Sequence, residues 1–75
     1  MNQDEIKQHI KELDRLNNEI KIAERILNSS EEYKKLFFHQ FGMSQSEAKF
    51  FLESEIRKDR LRMDEMIRLL ADNYE

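Results

Sequence analysis

Only two side chains, His9 and His39, can serve as imidazole bases or ligands near neutral pH. Glu5, His9 and Glu12 fall at i, i+4 and i+7, so any helix that carries them puts them on one face. Two carboxylates and one imidazole do not make a zinc site, which takes four N or S ligands or three and a water, so no metal is expected. His39 would need a nucleophile and an orienting acid, and the nearby hydroxyls of Ser44 and Ser46 stand where a helix cap is needed. Neither a nucleophile elbow nor a phosphate-binding glycine loop occurs. The chain is therefore expected to be no enzyme, with no catalytic residue and no cofactor.

The elements that must position these residues are marked by two breaks. Ser29-Ser30-Glu31-Glu32 and Ser44-Gln45-Ser46-Glu47 both have the form of a capping box. In such a box the first Ser accepts from the amide three residues on, and the Glu reaches back to the Ser amide. Ser29 is the expected cap of the first box and Ser44 of the second. Met43 is placed to staple onto Ala48. Gly42, the single glycine, is expected to stop the preceding helix in the left-handed region. Helices are thus expected over about 4–28, 30–41 and 45–73, roughly 38, 18 and 43 Å long at about 1.5 Å per residue. The predicted fold class is all-α: one helical domain over residues 1–75, a hairpin of two long helices with a short middle helix, coiled-coil-like and dimeric.

Composition agrees with that class. Pro, Val and Thr are absent and Ile is the only β-branched type, which leaves few of the turn and strand-forming residues a sheet protein needs. Charged residues make up 39% of the chain, with signs interspersed and a net charge of −3, as on solvated helix faces. No apolar run approaches the length of a membrane span, and Met1-Asn2-Gln3-Asp4 lacks the basic start of a signal peptide. A cytoplasmic protein with no membrane partner is expected. A compact monomer of 75 residues exposes roughly 5,000 Å². At that size apolar burial barely offsets chain ordering, and without Cys the remaining source of stability is association.

The first helix carries a seven-residue repeat, with Ile6, Leu13, Ile20 and Leu27 at a and His9, Leu16 and Ala23 at d. Ile6, Leu13, Leu16, Ile20 and Leu27 are the expected self-association residues, either in a coiled-coil homodimer or as a plain amphipathic stripe packed on the third helix. In the third helix Ala48, Leu52, Ile56, Met63, Met66, Ile67, Leu70 and Tyr74 share an arc of about 100°. Asp59 lies inside that arc, where a carboxylate needs water, a cationic partner or a functional reason.

All five Phe lie within fifteen residues around Gly42. One reading makes them a local mini-core floored by Ile22, Ile26 and Leu27. The favoured one makes them a partner surface, since a chain this short has little bulk to hide them and aromatic anchors dominate interfaces. Phe37, Phe38, Phe41, Phe50 and Leu61 are the expected partner-binding residues. The expected activity is that of an adaptor, a small inhibitor or regulator, or a scaffolding subunit, with another protein as its partner.

The stretch Lys34–Glu53 also resembles the helix-turn-helix motif, with Gly42 as the turn glycine and Ala48 and Phe51 at buried positions. The resemblance implies a dimeric DNA-binding regulator in which Gln45, Ser46 and Lys49 face the major groove. The chain departs from the motif at Phe38, where a small residue is usual, and in Glu47, Glu53 and Glu55, which repel phosphate. Arg57, Lys58, Arg60, Arg62 and Arg68 form a basic cluster, but Asp59, Asp64 and Glu65 stand among them and suit a self-paired face.

Overall fold

A computed structural model describes residues 2–72 of the chain. Three helices follow one another: α1 (Gln3–Leu27), α2 (Glu31–Gln40) and α3 (Gln45–Asp72). Each boundary has a local cause. Asn2 caps α1, its side-chain oxygen accepting from the Glu5 amide at 2.8 Å, and Asp4 and Glu5 complement the helix dipole. Ser44 caps α3, accepting from the Glu47 amide at 3.2 Å, as the second box predicts.

The first box is shifted by one residue. Ser30, not Ser29, caps α2, accepting from the Tyr33 amide at 3.2 Å. The Ser29 hydroxyl is used at the end of α1 instead, donating to the Ile26 carbonyl at 2.5 Å. With Ser30 as cap, the third helical residue is Tyr33, so no Glu is placed to close a box.

α2 stops at Gly42, whose φ is +66°. The Met43 amide donates to Phe38 O at 3.1 Å and the Gly42 amide to His39 O at 3.1 Å, the two bonds of a Schellman stop.

α1 and α3 pack along their lengths and run antiparallel. Arg60 reaches Glu24 at 2.6 Å and Arg62 reaches Glu12 at 3.4 Å, so ascending α3 means descending α1. The core is their seam: Leu16, Ile20 and Ala23 from α1, and Ala48 and Ile56 from α3, with Phe38 of α2 closing one end. Leu27, Leu52 and Met63 pack against it. Leu16 and Ile20, two of the expected self-association residues, are thus buried against their own chain, while Ile6, Leu13 and Leu27 are half-buried. On α3 the expected stripe is buried or half-buried except at Ile67, which is exposed, and its Leu52, Ile56 and Met63 pack with the α1 core residues; Tyr74 lies outside the described residues.

The result is a rod of 49 × 18 × 16 Å with a radius of gyration of 15.9 Å. A compact chain of this length has a radius of about 11 Å. Accessible surface is 6189 Å², against the roughly 5,000 Å² of compact scaling. No helix among the described residues is long and apolar enough to cross a membrane.

Two outcomes follow. A Cβ on Gly42 would meet nothing within 4 Å, so only backbone strain opposes a side chain there. Gly42→Val should therefore lower stability by more than about 1 kcal/mol, and Gly42→Asn by less, in thermal melts followed by circular dichroism. Equal losses would show that the stop does not depend on positive φ. In urea titrations Leu16→Ala should cost about 2–5 kcal/mol, against about 0.5 kcal/mol or less for the exposed Leu61→Ala.

Candidate interaction surface

The hollow at the turn end is built by three elements. α2 presents Tyr33, Phe37 and Phe41 at four-residue spacing, so one ring follows another along its face. Their centroids are 6.1 Å apart for Tyr33–Phe37 and 5.1 Å for Phe37–Phe41. Phe38, one position on, turns inward to the core and meets Phe37 edge-on at 5.8 Å. α1 supplies Ile22 and Ile26, and α3 supplies Ala48, Phe51 and Leu52.

Phe37, Phe38 and Phe41, with Ile26, Met43, Ala48, Phe51 and Leu52, line a groove of about 320 Å³ bounded by apolar residues alone. It meets a second hollow of about 350 Å³ at Ile26 and Phe37, where Ile22, Tyr33 and Arg25 form the walls. Phe41 is 63% exposed, Ile22 59%, Tyr33 51% and Phe51 49%. The rings are packed on one another yet remain largely open to water, which is unusual for side chains of this size.

The expected partner residues divide. Phe37, Phe38 and Phe41 come together here, with Phe38 as support rather than surface. Phe50 and Leu61 lie elsewhere, on the side of α3 turned away from α1, 68% and 65% exposed. Phe51 takes the place in the groove, because consecutive residues on a helix point about 100° apart and Phe51 is the one in phase with Ala48, Leu52 and Glu55. Ile22, expected as floor, is part of the open surface, while Ile26 and Leu27 are half-buried.

Next to the apolar groove, sharing Ile26 and Leu52, is a smaller hollow where Glu19 of α1 faces Glu55 and Asp59 of α3. This settles the position of Asp59: it meets a carboxylate of α1. Partial burial and hydrogen bonding to Glu19 push its carboxyl above the usual range, reinforced by Glu55, with Arg15 opposing. Arg15 is already divided between Glu12 and Glu19, the latter at 2.5 Å. Glu12, by contrast, is held below the usual range by Arg15, with Arg62 adding to it. Those two guanidiniums occupy the Glu12 oxygens of the Glu5–His9–Glu12 face, and no group among the described residues could hold a metal ion.

Gln45, Ser46 and Lys49 line a separate hollow of about 740 Å³ on the other flank of α3. Glu31, Lys34 and Glu53 share its walls. Lys34 is engaged there by Glu31 at 2.9 Å and by the Leu27 carbonyl at 3.4 Å. His39 is exposed on α2. About 27 Å of α1 separates His9 from Leu27, at the end where α2 begins.

Asp59 gives a pH-dependent outcome. Its native carboxyl holds a proton more tightly than the ordinary value of 3.8, so its contribution to stability falls as pH rises through that window. At neutral pH the ionised group is a cost. Asp59→Asn should therefore melt higher than the wild type near neutral pH, with the advantage shrinking towards about pH 4. The Glu12 contribution runs the opposite way, lost on acidification, but is common to both proteins and cancels. An advantage independent of pH would contradict the assignment.

The chain matches no protein-family model, no curated protein and no solved structure.

Proposed function

We propose that the chain is a non-enzymatic protein-interaction module, an adaptor, small inhibitor or scaffolding subunit that docks another protein at its aromatic end and also self-associates. The observation that carries this is the open aromatic groove between α2 and α3, whose walls are apolar throughout. Exposed contiguous apolar area of this kind marks interfaces in monomeric proteins, and clustered aromatic anchors supply most of the binding energy in them. Buried Phe38 and the Ser30 and Ser44 caps fix α2 and the start of α3, so the surface is formed before a partner arrives, which lowers the ordering cost of binding.

The rod form supports self-association as well. Its surface exceeds compact scaling by roughly 1,200 Å², more than the roughly 800 Å² each partner contributes to a standard interface. The DNA-binding reading has less support. Glu31 and Glu53 offset Lys34 and Lys49 in the hollow that holds Gln45 and Ser46, so it presents no net positive charge to a phosphate.

Affinity capture from the source organism, with mass-spectrometric identification, tests the proposal. The wild type should retain a protein that Phe41→Ser combined with Phe51→Ser does not, while helix content by circular dichroism stays the same. Identical retention by both would remove the aromatic groove as the docking surface. Random duplex DNA should give no gel shift at low salt. A tight shift that weakens steeply between about 50 and 200 mM salt would favour the DNA-binding reading instead.

A further inference from the structure

Two exposed features remain after the fold is accounted for, and their chemistry is complementary. The first is the groove with its acidic neighbour: apolar walls from Phe41, Phe51 and Leu52, then the carboxylates of Glu19, Glu55 and Asp59. The nearby cations leave that end acidic, because Arg15 is shared with Glu12 and Lys58 reaches Glu55 only at 3.7 Å. The second feature is the outer stripe of α3. Phe50, Arg57 and Leu61 project within about 40° of one another, on the side turned away from α1. Phe50 and Leu61 are among the most exposed apolar side chains, and Arg57 between them donates to its near neighbour Ser54 at 3.3 Å.

The spacings agree. Phe50 and Arg57 are seven residues apart, about 10.5 Å along the helix, while Phe51 in the groove and Asp59 in the acidic hollow are eight apart, about 12 Å. An apolar anchor followed by a cation at that distance is what the groove and its acidic end together select for. The spare surface of roughly 1,200 Å² is sufficient for a contact of standard size.

We propose that the groove of one molecule receives the outer α3 stripe of a second copy of this chain, with Phe50 of the second copy among Phe41, Phe51 and Leu52 and its Arg57 over Asp59 and Glu19. This deepens the reading of the aromatic end as a docking surface and rests on it. It also moves self-association away from the α1 repeat, whose Leu16 and Ile20 are buried within the chain. Groove and stripe are different surfaces, so the contact is heterologous. The dimer keeps one free groove and one free stripe, one on each molecule, and association continues into a ring or a filament.

Mixing two half-disabled proteins tests this. The groove variant carries Phe41→Ser and Phe51→Ser; the stripe variant carries Phe50→Ser and Arg57→Glu. All four side chains are exposed, so helix content should be unchanged, and Arg57→Glu alone, which touches no buried side chain, serves as a second stripe variant. In sedimentation velocity the wild type should form species beyond the dimer as concentration rises. Each variant alone should sediment as a monomer. The two mixed in equal amounts should form a dimer and nothing larger, since one supplies the intact stripe and the other the intact groove.

A stripe variant that associates like the wild type would mean that grooves pair with grooves, and would overturn the proposal. So would a wild type that stays monomeric at every concentration. In that second case, groove-dependent capture of a different protein would leave the docking surface itself standing, so the two failures are distinguishable.

Discussion

Everything in this molecule depends on where the apolar stripe of α1 is buried. Ile20 and Ala23 pack with Ile56 of the same chain, Leu16 is buried on the same stripe, and that seam supplies most of the core. α1 lies antiparallel on α3, and α2 sits at one end of the pair, tied by buried Phe38. The remaining rings of α2 then have no second layer to cover them. The aromatic groove is what two long helices and one short one leave open when only one face of each long helix is used.

The seam also fixes the electrostatics. Packed antiparallel in this register, Glu12 meets Arg62 and Glu24 meets Arg60, both favourable. The same register sets Glu19 against Asp59, a like-charge pair that burial makes worse. A fold optimised for stability alone has little reason to keep it. The pair lies beside the apolar groove, with Ile26 and Leu52 common to both hollows.

How much of this was legible in the sequence differs by element. The three helices, the Gly42 stop and the Ser44 cap follow from local chemistry, and local chemistry is written in consecutive residues. The choice of Ser30 over Ser29 was not legible, because both precede suitable residues and the decision was made by the end of α1, which uses the Ser29 hydroxyl. Phe51 rather than Phe50 in the groove, and Glu19 opposite Asp59, depend on the phase and register of one helix against another. A single-helix pattern contains neither. The separation of Phe50 and Leu61 from the α2 aromatics has the same origin, although the helical phase of α3 already put those two residues off its buried stripe.

The central claim is that the α1–α3 seam lies within one chain. The chain has no Cys, so spin labels can be placed on cysteines introduced at positions 24 and 60, where Glu24 and Arg60 pair across the seam. Double electron–electron resonance on the doubly labelled protein should give one short distance that persists on dilution with excess unlabelled protein. A short distance that disappears on dilution would show that α1 packs on the α3 of another molecule, and would contradict the account.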